Sequence, residues 1–403
     1  MTRYGLPEQV VFCKRCVLSN QRPSSRPEHK HTPGQAATYM HIDEDGVCDA
    51  CRQAEAKAAI DWDARRAELA ALCDLHRRDD GRYDCIVPGS GGKDSVVAAW
   101  VLKHEFGMHP LTCTWPPLLY TDYGRRNFER WAAHFDNVTV KPAGRTHATL
   151  TRLAIENLLH PFQPFILGQK NLAPRVAVDY DVPLVFYGEN EAEYGNPIAL
   201  NTTALRDRAI YTYDHLDDVY LGGVSIGALI VEHGLELSDL SLYLPAEPAA
   251  LDRVGVEVRY LGYYGMPLSD GTWGGWDPQE AFYLAADKVG FEARPFRTEG
   301  TYSRYNSIDD KVDDLHYFTT YQKYGLGRAS YDASQEVRNG HIDRDEAIAL
   351  VARFDGETPR RYLDECLDYI GMSDERFFEL CRNARPDHLF DTDGKLLHPV
   401  WQG

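Results

Sequence analysis

Ser90-Gly91-Gly92-Lys93-Asp94-Ser95 follow directly on the apolar run Cys85-Ile86-Val87. A short buried strand entering a glycine-rich turn, with an amphipathic helix over 93–106 behind it, aims several backbone N–H groups at one spot. The start of that helix adds positive partial charge at the same place. Glycine lets the main chain approach an anion that a Cβ would hold away. The ligand this pattern predicts is a phosphate chain, that of ATP. Ser90, Gly91, Gly92, Lys93, Asp94 and Ser95 are therefore candidate cofactor-binding residues, with Lys93 facing the phosphoryl charge and Asp94 a candidate magnesium ligand.

The type of phosphate loop is informative. A loop built for γ-phosphate transfer has Gly, four residues, then Gly-Lys-Ser/Thr. Here Val87 stands in the first glycine's position and Asp94 in that of the magnesium-binding hydroxyl. Ser-Gly-Gly-Lys-Asp-Ser instead resembles the pyrophosphatase (PP) loop of the N-type ATP pyrophosphatase superfamily. That resemblance implies cleavage of ATP between the α and β phosphates, with AMP left on the substrate.

A second set of residues suits a metal. Cys13-x-x-Cys16 and Cys48-x-x-Cys51 offer two thiolate pairs, each on a tight knuckle. Two such knuckles complete a closed tetrahedral sulfur site, for which zinc is the favoured and structural occupant. The Pro-, Ser-, His- and Gln-rich residues 19–41 read as a loop inserted between the pairs, with His29, His31 and His41 as solvated loop histidines. None of the nine cysteines lies in a glutaminase-type nucleophile turn.

The elements that must position these groups alternate. Strands are expected at 83–88, 110–115, 137–141 and 183–188, and helices at 93–106, 124–135, 145–159 and 169–179. That alternation predicts an α/β fold with a parallel sheet and flanking helices. Ligands of such sheets bind at the carboxyl ends of the strands. The second strand ends at Thr114, a candidate adenine contact. The fourth ends in Gly188-Glu189-Asn190-Glu191, where two carboxylates and an amide can orient a substrate or, through Glu189, share magnesium with Asp94. A further strand is expected at 256–261, helices within 195–256, and a helical tail. The polar tract from Arg297 to Lys311 reads as a lid or a surface connection. The domains expected are a four-cysteine zinc segment over 1–58, the ATP-binding α/β domain over 59–290, and the lid tract with a helical C-terminal region over 291–403.

Composition bounds the class. With 403 residues, 43% hydrophobic, the chain is long enough for more than one domain. A formal net charge of −18 argues against a nucleic-acid partner. No apolar run approaches the roughly 20 residues of a membrane span, and Met1-Thr2-Arg3-Tyr4 opens no signal segment. A soluble, cytoplasmic protein without a membrane partner is expected.

Longer tracts narrow the reading. The cysteine pairs in Cys13-Lys14-Arg15-Cys16 and Cys48-Asp49-Ala50-Cys51 precede the Ser90–Ser95 loop. His160-Pro161-Phe162-Gln163-Pro164-Phe165, Tyr187-Gly188-Glu189-Asn190, Trp276-Asp277-Pro278, Thr298 to Lys311 and Tyr324-Gly325-Leu326-Gly327-Arg328 follow. In order and spacing they resemble the N-acetyl sugar amidotransferase family of surface-polysaccharide (lipopolysaccharide) biosynthesis. The resemblance implies that ATP adenylylates the acetamido oxygen of an N-acetylated, nucleotide-linked sugar and that ammonia displaces AMP to give an acetamidino group. It implies a separate glutaminase and an ammonia-channel subunit as partners. It places Lys93, Asp94, Glu189, Asn190 and Glu191 in the catalytic site and makes the tract ending at Lys311 a pyrophosphate clamp. Two alternatives stay open: an amidotransferase acting on another amide or carboxylate, and a tRNA-thiolating enzyme.

Overall fold

The computed structural model describes residues 2–32, 36–188, 196, 203–213 and 215–402. The Cys85–Pro88 strand (β1) is buried throughout, because its short apolar run is covered on both faces. Beside it lies β2 (Pro110–Thr114), then β3 (Asn137–Thr139) at one edge. On its other side come β4 (Leu184–Tyr187) and, after the small hairpin of β5 (Tyr220–Leu221) and β6 (Val224–Ser225), β7 (Glu257–Tyr260) at the far edge. The order is β3-β2-β1-β4-β7 and every pairing is parallel. A second small hairpin pairs β8 (Met266–Pro267) with β9 (Trp273–Gly274).

The four expected strands and the four expected helices among them are present. The chain runs from β1 outward to β3, then returns to the opposite side of β1 as β4. Such a reversal opens a crevice at the carboxyl ends of β1 and β4, where ligands of this architecture bind.

Two helices precede the sheet, α1 (Asp49–Lys57) and α2 (Trp62–His76). After β1 comes α3 (Lys93–Trp100), which continues through a π-helical turn over Val101–Glu105. Then follow α4 (Asp122–His134), α5 (Gly144–Leu158) and α6 (Gln163–Asp179). The last begins earlier than the sequence pattern predicts, because Pro164 sits in its first turn, where a missing N–H leaves no bond unmade. Between the hairpins lie α7 (Ile226–His233), α8 (Leu237–Leu240) and α9 (Pro248–Val254), and α10 (Pro278–Val289) follows. Residues of α3 and α10 share one buried core with β1 and β4. Residues of α5 and α6 share another with β1, β2, β4 and β7 on the opposite face.

The tail is helical, as expected: α11 (Asp313–Tyr324), α12 (Arg328–Arg338), α13 (Arg344–Phe354), α14 (Leu363–Ile370) and α15 (Asp374–Ala384). The apolar faces of α11, α14 and α15 close on Ile155, Leu159 and Phe162 at the junction of α5 and α6, and those of α12 and α13 on Val17 and Val400. No helix among the described residues is long and apolar enough to cross a membrane.

Candidate active site

The loop after β1 occupies the crevice. Gly92 caps the start of α3 in an extended conformation. Gly91 takes φ +84°, and a Cβ there would lie 2.7 Å from the Asn127 carbonyl oxygen on α4, so only glycine fits. A Cβ on Gly92 meets nothing within 4 Å, because that face of the turn looks into open space. Gly188, at the end of β4, comes so close that a Cβ would sit 2.7 Å from the Asp94 carbonyl oxygen. The two strand ends therefore meet across the reversal of strand order.

Lys93 is buried, and its Nζ donates to both carboxylate oxygens of Asp94, at 2.7 and 2.8 Å. The Lys93 ammonium and the Asp94 carboxylate thus satisfy each other. Ser90 Oγ donates to Asp309 at 2.8 Å, and Ser95 Oγ donates to the Gly92 carbonyl at 2.9 Å.

The tract that the sequence reads as a lid or connection is a fixed wall here. Thr121 N donates to the Asp309 carbonyl at 3.0 Å and Lys311 N to the Leu119 carbonyl at 2.9 Å, so 309–311 pair with the chain leaving β2. The Asp310 carboxylate accepts from the N–H groups of Leu118, Leu119 and Val312. Burial pushes Asp310 up to about 7; the donor at Val312 pulls the other way, and the Asp309 charge reinforces the rise. Ser307 holds φ +50°, a left-handed conformation that a residue with a Cβ takes only when its surroundings enforce it. Its hydroxyl is bonded by Tyr317, which in turn accepts from Arg328 at 2.9 Å. Arg328 also donates to the buried Asp332 at 2.7 Å.

These groups line one cavity of about 1080 Å³. Ser90, Gly91, Gly92, Lys93, Asp94, Ser95 and Gly188 are all on its wall. Thr114 and Lys311 are not. The Thr114 hydroxyl is buried on the Gly89 carbonyl at 2.7 Å, because its strand position points it along the sheet rather than out of its end. Lys311 reaches the other way, to Glu365 at 2.5 Å. Glu189, Asn190 and Glu191 lie outside the described residues.

The cavity has a wall that sequence reasoning did not supply. Residues 22–32 and 36–38, between the two cysteine pairs, form one whole side of it. Glu28 anchors this side through the fully buried Lys323 of α11, whose Nζ donates to the two Glu28 oxygens at 2.9 and 2.7 Å and to the Leu158 carbonyl at 2.7 Å. Burial opposes the Glu28 charge, but the Lys323 ammonium wins and holds it well below the usual carboxylate range. His29 is half-buried on the cavity wall rather than solvated, whereas His31, on the same wall, is exposed as expected and is bonded to Glu28. His41 has its ring largely exposed, as expected. A lone acidic residue in a loop of charged and polar neighbours gave no sign of a buried partner so far along the chain.

The four cysteines converge. Cys13, Cys16, Cys48 and Cys51 are buried, with their sulfurs within 4.8 Å of one another. Cys13 and Cys51 are separated by 3.8 Å and Cys16 and Cys48 by 3.7 Å. Zinc–sulfur bonds of roughly 2.3 Å in a tetrahedron require sulfurs about 3.8 Å apart, so the donor set fits zinc. The knuckle packs on Tyr331 and Val337 of α12.

Residues 299–402 match a family model described as "LPS biosynthesis protein WbpG-like, C-terminal domain". The match spans the end of the wall tract and the helices α11–α15, and agrees with the surface-polysaccharide side of the sequence resemblance. No curated protein is similar enough to the chain to count as a relative. Among solved structures, that of NMN synthetase from Francisella tularensis is similar over 48% of this chain and 92% of its own, at 14% identity and a TM-score of 0.24, and nothing is argued from so low a score.

Proposed function

We propose that the chain is an ATP-dependent, AMP-forming amidotransferase that converts the acetamido group of an N-acetylated, nucleotide-linked sugar into an acetamidino group. One observation carries the reading. The Ser90–Ser95 loop sits at the carboxyl end of the central strand, where the strand order reverses, and opens onto a cavity at the upper end of the range of small-molecule sites. The family match over 299–402 supports the sugar side of the reaction.

The amide oxygen would attack the α-phosphorus, and the bond to the β-phosphoryl oxygen would break. The N–H groups at Gly91 and Gly92 and the Lys93 ammonium face the charge that departs as pyrophosphate. Ammonia would then form the new C–N bond while the C–O bond breaks, so the carbonyl oxygen leaves on AMP. Carboxylate oxygens suit magnesium, which would be held by Asp94 and Glu189 and would supply neutralisation of phosphoryl charge. Zinc at the four cysteines leaves no open position and serves structure alone. A separate glutaminase and a channel-forming subunit would supply the ammonia.

The test is an isotope experiment. A nucleotide-linked acetamido sugar carrying heavy oxygen in its acetyl carbonyl is incubated with ATP, magnesium and ammonium. The label is expected in AMP, and the sugar product is expected lighter by the difference between O and NH. Formation of ADP, or of unlabelled AMP, overturns the proposal.

A further inference from the structure

Two histidines on the cavity wall have no role in the reaction as described so far. His160 follows the left-handed residue that ends α5, and His316 lies in α11. Their rings stack with centroids 4.8 Å apart and planes at 22°. Phe162 packs edge-on against His316 at 5.3 Å. Among the described residues, neither ring makes a side-chain hydrogen bond. The Nδ1 of each is buried without a partner, and both residues line the same cavity as the phosphate loop. A stacked, unpartnered imidazole pair wastes its hydrogen-bonding capacity unless something else takes it up.

We propose that the His160–His316 pair receives the nitrogen nucleophile, an imidazole nitrogen accepting a proton from it as it attacks the adenylylated amide. The inference rests on the function proposed above. In the step, the lone pair of ammonia makes the C–N bond, the nitrogen that becomes cationic gives an N–H proton to the imidazole, the C–O bond to AMP breaks with its electron pair leaving on the phosphate, and the imidazolium returns the proton to that phosphate or to solvent.

The surroundings suit a proton acceptor. Burial pulls His160 down to about 4 and His316 well below the ordinary imidazole value, so both are neutral at pH 7. The groups facing the pair are Glu28 and His31 from the 19–41 segment, Lys323 and Asp313 from α11, and Arg328 from α12. The Glu28 charge favours protonation and the Lys323 and Arg328 charges oppose it. An imidazole held neutral this way keeps a lone pair free, and although burial weakens it as a base, the positive charge that develops on the attacking nitrogen drives the transfer.

The test separates the two proposals. His316→Gln and His160→Gln are made separately, and amidino product per AMP released is measured against ammonium concentration and pH. The expected result is a product-to-AMP ratio that falls at least tenfold in one or both variants, as the adenylate is lost to water, with the ammonium dependence moved to higher pH. A wild-type ratio and pH profile in both variants overturns the inference. Absence of AMP formation in the wild-type enzyme overturns the function instead. Because a variant can fail to fold, the intact protein provides a second reading: histidine ring-nitrogen NMR with ammonium chloride as the probe. Two neutral imidazoles that shift on ammonium addition, and do not shift with sodium chloride, are expected; no ammonium-specific shift refutes the site.

Discussion

Replacing Lys323 with Met is the sharpest test of how the cavity is held together. The ammonium is 1% exposed and its partner Glu28 is 20% exposed. Methionine fills nearly the same volume, so the change removes charge and three hydrogen bonds with little loss of packing. It leaves a mostly buried carboxylate with, among the described residues, His31 bonded to it and His160 near it but no fixed cation. Breaking a buried pair by removing one partner costs about 3–5 kcal/mol, most of it the stranded charge. Urea denaturation at pH 7.5, read by tryptophan fluorescence, should show that loss. The double variant Glu28→Gln/Lys323→Met should recover most of it, since no charge is then stranded. The pH dependence also changes sign. In the native protein the folded carboxyl lies below its ordinary value near 4.5, so its contribution is complete above that value and is lost as pH falls beneath it. In Lys323→Met the folded carboxyl lies above its unfolded value, so the deficit should shrink on acidification. A loss under about 0.5 kcal/mol, no greater than that of an ordinary surface change, would refute the reasoning. So would a deficit independent of pH.

Two further outcomes are expected. Gly92→Ala puts a methyl where no protein atom lies within 4 Å, so urea stability should hold within ~1 kcal/mol, while ATP affinity by calorimetry falls about tenfold or more, equivalent to ~1.4 kcal/mol; unchanged affinity would remove this face of the turn from the phosphate site. Cys48→Ser should lose bound zinc, measured by native mass spectrometry, and lower the melting temperature; undiminished zinc in that variant would end the four-thiolate assignment.

The sheet was legible because its strands are short apolar runs separated by helices. The observed β1, β2 and β4 fall inside the expected spans, and β3 is shorter because its edge position leaves it only one neighbour. The geometry of the Ser90–Ser95 loop was legible for the same reason: strand, turn and helix are contiguous, and their arrangement is local. The β5–β6 hairpin was missed although its turn, Gly222-Gly223, has positive φ at both residues, a pattern that favours a two-residue hairpin. The wall formed by 22–32 and 36–38 was not legible at all. It depends on Glu28 meeting Lys323, as the rest of the cavity depends on His160 meeting His316 and Ser90 meeting Asp309, pairs separated by long stretches of chain. The directions of Thr114, toward the Gly89 carbonyl, and of Lys311, toward Glu365, were not legible for the complementary reason. A residue near a strand end or in a charged tract has several directions available, and only the neighbours decide which one its side chain takes.

The cysteine cluster does more than steady a small knuckle. Its two pairs stand at either end of the segment that walls the cavity, so the cluster acts as a clasp on a strap. Opening it would lengthen the free span and weaken the hold of Glu28 on α11 without touching any reacting group. Metal occupancy and the shape of the binding chamber are thus a single variable, and a chelator added far from the phosphates should be felt among them.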